Sequence, residues 1–202
     1  MYQDIHVIDD FLLPFQQDNI EQLILRGDNN PWKFFNDIAL PDNEVRDLGI
    51  TRVTPGIGLA IINDAPPYTH PQLLNGTQHL VHKACAKVGL RCKQLIQGRS
   101  FITFPLDRDI RKEYDNIHVD LQIPHMVCLY YVNDTDGDTF IFDKCRNIDI
   151  NSIEDFQSAD YKVLQRVTPK KGRAVIFDGS RYHSSSSSTK NIRCIINFDF
   201  LT

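Results

Sequence analysis

His118-Val119-Asp120 places an imidazole and a carboxylate two positions apart in the chain. A second histidine, His183, lies far downstream, and Arg193 follows ten residues after it. Two histidines and one carboxylate fill one face of an octahedral metal, suit iron(II), and leave the opposite face open for a co-substrate and oxygen. Arginine adds a fixed charge on a planar fork of donors that matches a carboxylate. These residue types together suggest a metal site beside a dicarboxylate site. If Ile117–Leu121 is a strand, His118 and Asp120 project from one face and Val119 from the other. His183 follows an apolar run and the Asp178-Gly179 turn, so it reaches the same place from a different strand. A lone H-x-D triplet arises often by chance, and the order His118, Asp120, His183, Arg193 is what gives it weight. His125 follows Pro124 in a turn and is expected to border the pocket without binding metal. His6, His70, His79 and His82 read as surface or packing residues.

The last strand carries the second signal. In Ile192–Phe200 the even positions, from Ile192 to Phe200, form an apolar face, while Arg193, Ile195, Asn197 and Asp199 form the other. An arginine inside a barrel is costly unless paired, and a carboxylate is its natural partner. The bland alternative is an edge-strand arginine facing solvent. Met126–Val132 alternates in the same way, which makes Tyr131 either a second holder of that carboxylate or an ordinary core tyrosine.

The elements that must position these residues follow from periodicity and turns. A short strand at Ile5–Ile8 precedes a helix with Ile20, Leu23 and Ile24 on one face and Gly27 at its end. Pro31–Phe35 reads as an aromatic strand. Residues 40–70 hold many prolines and glycines and suggest loops with one short strand, Gly58–Ile62. A second helix is expected from about Pro71 to Val88. From residue 92 the texture is β, with strands at Lys93–Ile96, Ser100–Phe104, Ile117–Leu121, Met126–Val132, Asp138–Phe142, Lys162–Val167, Arg173–Phe177 and Ile192–Phe200, which indicates a sandwich or barrel. Ser184–Ser188 is the one low-complexity run.

Composition sets the bounds. The chain has 202 residues, 42% hydrophobic and 24% charged, with a net charge of −4, as expected of one soluble domain. No long basic face offers an electrostatic footprint, so nucleic acid is a disfavoured partner, and Lys170-Lys171 with Arg173 reads as a solvated turn. No apolar run approaches the roughly 20 residues of a membrane span, and no leader pattern is visible. The five cysteines are odd in number and contain no C-x-x-C pair, which fits a reducing, cytoplasmic compartment.

The motifs now assemble into a likeness. The chain resembles the iron(II)/2-oxoglutarate-dependent dioxygenases, in their prolyl-4-hydroxylase-like branch. His118-Val119-Asp120 is similar to the family's H-x-D. Leu129-Tyr130-Tyr131-Val132-Asn133 resembles its "YLN" strand. Asp136-Gly137-Asp138-Thr139 resembles its "GGxT" turn, with an aspartate for the first glycine. The run Val167–Phe177 is similar to its "PkkGr…F" turn and strand. A narrower likeness, through Pro31-Trp32 and the closing strand, is to small oxygenases encoded by phages, which would place the protein in host cytoplasm. The resemblance implies a mainly β fold with N-terminal helices, a double-stranded β-helix (jelly-roll or cupin-like barrel). It implies one domain over 1–202, with helical support over 1–92 and the jelly-roll core over 93–202. It implies that His118, Asp120 and His183 hold iron(II), and that Arg193, Tyr131 and Asn197 hold 2-oxoglutarate, with ascorbate as an auxiliary reductant. Oxidation of 2-oxoglutarate to succinate would accompany hydroxylation of an unactivated C–H bond, and Asp120 fills the position a halide would need. A peptidyl proline is the substrate implied by analogy, with another protein side chain, a free amino acid or a small metabolite left open. Tyr114 and Phe104 are further candidates near the H-x-D motif. The pocket rim is expected from Pro105–Asn116 (a solvated loop or a lid), His125 and the Lys144–Tyr161 connection.

Three other readings compete. A nucleic-acid demethylase-type oxygenase would carry a further arginine soon after Arg193, and none follows. A non-catalytic metal-binding jelly roll would show a degraded triad. A cupin-like metalloenzyme without 2-oxoglutarate would not need Arg193. The sequence does not fix the oligomeric state.

Overall fold

The computed structural model describes residues 4–64, 67–107 and 109–202. Pro66 and Arg108, which entered the loop expectations above, lie outside the described residues. In chain order the elements are β1 (His6–Ile8), α1 (Pro14–Leu25), β2 (Lys33–Phe35), α2 (Asp42–Asp47), β3 (Gly56–Asp64), β4 (Pro67–Thr69), α3 (Pro71–Thr77) and α4 (His79–Lys87). They continue with β5 (Gln94–Thr103), β6 (Met126–Tyr131), β7 (Thr139–Cys145), α5 (Ile153–Ser158), β8 (Val163–Val167), β9 (Ala174–Asp178), β10 (Arg181–Ser185) and β11 (Arg193–Leu201).

Eight strands form one antiparallel sheet, in the order β1-β9-β6-β11-β5-β3-β2 with β4 on β3; a second sheet runs β10-β7-β8. The period-2 alternation of the sequence sorts side chains into three apolar layers. Val127, Leu129, Tyr131, Val175, Phe177 and Ile195 project from the large sheet toward Ile141 and Val167 of the small one, forming the jelly-roll interior. Their neighbours Cys128, Tyr130, Ile176, Ile196 and Phe198 face the other way, against Ile20, Ile24, Leu80, Val81 and Ala84 of the helices. Phe140, Phe142 and Tyr182 pack outside the small sheet with Phe156 and Tyr161. The strands of β11 thus use both faces, and Arg193–Phe200 is buried throughout.

Several expectations need correction. Ile117–Leu121 is not a strand: His118 forms only a single bridge, with His183. The expected Lys93–Ile96 and Ser100–Phe104 strands are one ten-residue strand, β5. The Pro71–Val88 helix divides at Gln78, next to the weak helix formers Gly76 and Thr77. The Thr77 hydroxyl donates back to the Leu73 carbonyl (2.7 Å). Residues 40–70 hold α2 and β4 besides a longer β3, and the 144–161 connection holds α5. Lys170-Lys171-Arg173 is more than a solvated turn. Arg173 donates Nε and Nη2 to the two oxygens of Asp9 (2.8 Å each), and Lys171 meets Asp18 and Glu21 at 2.6 and 2.5 Å. The β8–β9 turn is thereby tied to the N-terminal segment.

Candidate metal and co-substrate site

His183 sits in β10 of the small sheet, and the segment carrying His118 lies beside it. The two residues exchange backbone hydrogen bonds, His118 N–H to His183 O at 3.0 Å and the reverse at 2.9 Å. That exchange brings the imidazoles together, with ring centroids 4.5 Å apart. One bridge therefore does what the expected strand was to do. Asp120 closes the set: its Oδ2 lies 3.3 Å from His183 Nε2, and one ligand atom from each of His118, Asp120 and His183 falls within 4.8 Å of the others.

Each histidine is held from behind. His118 Nδ1 lies 3.0 Å from the Asn116 carbonyl and His183 Nδ1 lies 3.1 Å from the Arg181 carbonyl. A carbonyl only accepts, so both Nδ1 atoms carry hydrogen and Nε2 is the nitrogen each ring has left for a metal, the way ligating histidines are usually oriented. Asn116 is itself anchored, because its Nδ2 donates to Asp37 (2.7 Å), whose carboxylate also accepts the N–H groups of Ala39, Leu40 and Thr54. Burial and the neighbouring His183 pull the His118 pKa down to about 4, so its ring is neutral and ready to ligate near pH 7. Burial works to raise the Asp120 carboxyl, but the His183 contact and the charges around it hold it well below the usual carboxylate range. Two imidazole Nε2 atoms and a carboxylate facing one another offer a cation three ligand atoms. The donor set fits iron(II).

Asp120 is fixed by two residues of the large sheet. Arg99 Nη2 donates to Oδ1 (2.7 Å) and Asn197 Nδ2 to Oδ2 (3.1 Å). Arg99 and Asn197 are direct cross-strand partners in β5 and β11. Asn197, expected at the co-substrate, thus touches a candidate metal ligand. Asp199, two residues on, lies 3.7 Å from Arg99 and 3.6 Å from His125 Nε2. His125 is buried beside the triad, its ring pressed against Gly179. Asp120, His125 and Asp199 form a second cluster of potential ligands, although Arg99 already supplies a cation there.

Arg193 occupies the same face of β11 as Asn197, about 13 Å away between Cα atoms at strand spacing, and Ile195 lies between them. Its side chain is buried, at 3% exposure. Nε donates to the Gly137 carbonyl and Nη2 to Thr139 Oγ1, both at 2.8 Å. The Tyr131 hydroxyl donates to that same Thr139 oxygen (2.7 Å), and the guanidinium stands 5.8 Å from the Tyr131 ring. Among the described residues no carboxylate oxygen comes within 4.0 Å of it, and burial presses its pKa down. The buried guanidinium hydrogen-bonds only to neutral acceptors, and the Asp115 and Asp138 carboxylates act on it from beyond ion-pair distance, which leaves room for a closer anion. Tyr114 packs on the Phe140 and Phe142 rings outside the small sheet (centroids 5.6 and 5.1 Å), and Phe104 is exposed.

Two cavities flank the metal ligands. The larger, about 830 Å³, is lined by Asp120, Val119, Gln97, Arg99 and Phe101. The smaller, about 330 Å³, touches His118, Val119, α2 and the 146–156 segment. The Lys144–Tyr161 connection therefore does border the site.

Sequence reasoning missed Arg99, Thr139, Asp37 and the bounds of β10, the separate strand that carries His183. Arg99 hid at the supposed gap between two short strands. Read as one strand, Gln97, Arg99 and Phe101 alternate on one face with an arginine among them, the signal that exposed Arg193. The serine run concealed β10 because serine lacks an apolar face. Ser185 and Ser187 donate to Asp115 (3.3 and 3.4 Å), and Ser186 accepts the Asp138 N–H.

No family model and no curated relative matches the chain. Solved structures do. The α-ketoglutarate-dependent non-haem epimerase SnoN of nogalamycin biosynthesis superposes with a TM-score of 0.63 at 7% identity, covering 98% of this chain and 76% of that one. A Trichoplax adhaerens prolyl hydroxylase, solved with a hypoxia-inducible-factor peptide fragment, gives 0.58 at 13% identity, covering 98% and 83%. HygX from Streptomyces hygroscopicus, solved with nickel and 2-oxoglutarate, gives 0.54 at 11%, covering 97% and 82%. The expected likeness to phage-encoded enzymes finds no support in these three. The chain has the jelly-roll fold of the 2-oxoglutarate- and iron(II)-dependent oxygenases.

Proposed function

We propose that this protein is an iron(II)- and 2-oxoglutarate-dependent dioxygenase, one domain over 1–202, that hydroxylates an unactivated C–H bond. His118, Asp120 and His183 hold the metal through Nε2, Oδ2 and Nε2. Arg193 receives the distal carboxylate of 2-oxoglutarate, with Tyr131 acting through Thr139 to fix the guanidinium. Asn197 and Arg99 hold the Asp120 carboxylate in place. The observation that carries the reading is the buried Arg193. Its guanidinium hydrogen-bonds only to neutral acceptors, with Asp115 and Asp138 beyond ion-pair distance, at one end of an apolar interior, and Asn197, at the other end of the same strand face, touches Asp120 of the candidate triad. When bound, the iron and 2-oxoglutarate supply the oxidising power: 2-oxoglutarate, oxygen and R–H give succinate, carbon dioxide and R–OH. The interior residues Leu129, Val175 and Phe177 exclude water from the co-substrate, and the Nδ1 hydrogen bonds keep both imidazoles oriented. Substrate enters from the two cavities. A protein or amino-acid side chain is favoured, and the peptide bound by the Trichoplax neighbour is consistent with a prolyl substrate. A non-catalytic module is disfavoured by the intact triad and arginine.

The test is succinate release from 2-oxoglutarate with iron(II) and ascorbate in air, comparing wild type with His118→Ala and Arg193→Ala. Metal-dependent succinate lost in both variants supports the proposal. No succinate, together with no anaerobic absorbance change when 2-oxoglutarate meets the iron-loaded protein, overturns it.

A further inference from the structure

The larger cavity has a polar wall that metal and co-substrate binding leave unused. Gln97, Arg99 and Phe101 alternate along β5 and all line it. The Arg99 guanidinium stacks over the Phe101 ring at 5.4 Å and keeps 27% side-chain exposure. It carries five N–H donors, and both carboxylates beside it, Asp120 at 2.7 Å and Asp199 at 3.7 Å, face Nη2 alone. Arg99 Nε and Gln97 Oε1 are buried without a hydrogen-bond partner. Buried polar atoms nearly always have partners; these two are covered in the present side-chain positions, and a small turn of either side chain, both on residues that line the cavity, presents the unmet donor and acceptor to a ligand. A guanidinium on an aromatic shelf matches a carboxylate. The Gln97 carbonyl, about 7 Å along the strand at Cα level, matches an ammonium. Lys33, Asp37 and Glu44 are the other charged groups of this wall besides Asp120. The Asp37 carboxylate is consumed by its own loop and Asn116.

We infer that this wall is the primary-substrate subsite, with Arg99 binding the carboxylate and Gln97 the amino group of a small α-amino-acid zwitterion. The inference rests on the proposed function only in calling that ligand the substrate. It separates a free amino acid from an internal residue of a polypeptide, which has neither end group.

The test is a titration of the zinc-loaded, 2-oxoglutarate-saturated protein, which does not turn over, followed by the ¹⁵N resonance of the Arg99 Nε–H. The probes are acetate, glycine and L-proline against acetamide, glycinamide and L-prolinamide. The acids should shift the resonance saturably and bind at least about tenfold more tightly than the amides. Arg99→Gln should abolish binding. Gln97→Leu, which leaves the Asp120 contact intact, should weaken glycine and L-proline but not acetate. Equal binding of acids and amides, no saturable shift, or a shift produced by 2-oxoglutarate itself overturns the inference. The titration is repeated without 2-oxoglutarate. Failure of the oxygenase reading appears separately, as absent 2-oxoglutarate binding, and leaves the Arg99 response to the acids unchanged.

Discussion

Replacing Arg193 by methionine should move folding stability and co-substrate affinity independently. Methionine keeps an unbranched stem of similar length, so the space beside Gly137, whose added Cβ would come within 2.9 Å of the Arg193 Cδ, stays filled. On the folding side two effects oppose. Removing a buried charge whose nearest carboxylates lie beyond ion-pair distance relieves a desolvation penalty of several kcal/mol. The Gly137 carbonyl and Thr139 hydroxyl each lose a donor, at about 1–3 kcal/mol for a group left unsatisfied. Thr139 retains the Tyr131 hydroxyl, which places its loss at the lower end. The metal-free variant should therefore unfold within about 2 kcal/mol of wild type. On the binding side nothing compensates. Truncating one partner of a buried charge pair costs about 2–5 kcal/mol, or roughly 30- to 5,000-fold in 2-oxoglutarate affinity. Arg193→Lys keeps the charge but not the fork and should fall between. Denaturant unfolding of the apo-protein and anaerobic titration of 2-oxoglutarate into nickel-loaded protein read the two quantities separately. The reasoning is refuted if the variant loses more than about 4 kcal/mol of apo stability while its 2-oxoglutarate affinity stays within about threefold of wild type. Arg193 would then be a structural strut.

Three further outcomes follow from the same geometry. A Cβ at Gly179 would stand 2.1 Å from His125 Nε2, so Gly179→Ala should cost about 1–3 kcal/mol and weaken metal binding by pushing the imidazole toward its neighbour Asp120; unchanged unfolding and metal affinity would contradict this. His118 titrates near 4 in the fold and near 6.5 in the unfolded chain. The unfolded state therefore binds more protons between those values, and metal-free stability should fall by about 3 kcal/mol as pH drops through that window; a flat stability profile there would count against it. Burial pushes the Cys85 and Cys194 thiols up to about 12 and Cys128 up as well, and all five cysteines are free and buried. Iodoacetamide should hence label the native protein slowly and the denatured protein at five positions, and fast native labelling would refute the packing.

The three candidate ligands could be singled out in the sequence, and the structure brings them together, although the strand offered as the reason is not there. His118 and Asp120 converge with His183 because two backbone hydrogen bonds join residues 118 and 183, a long-range pairing that no local period encodes. Arg193 and Asn197 were legible for the opposite reason: β11 has an apolar layer on each side, so a polar residue in its alternation stands out. Tyr131 could be placed on the interior face but not against Thr139, since that contact depends on how β6 and β7 face each other across the interior. Arg99 shows where periodicity fails. β5 is exposed enough at Gln97 and Arg99 to read as a break, and the carboxylate it serves lies 21 residues away in an irregular loop. Residues that ligate or pair across the barrel thus announce themselves by chemical type. Residues that hold those ligands still announce themselves only after the register of the sheet is known, because their partners are set by which strands lie side by side. That ordering places the substrate wall beyond sequence as well: Gln97 and Phe101 are unremarkable in the chain and acquire meaning only from the metal carboxylate that Arg99, on the same strand face, holds beside them.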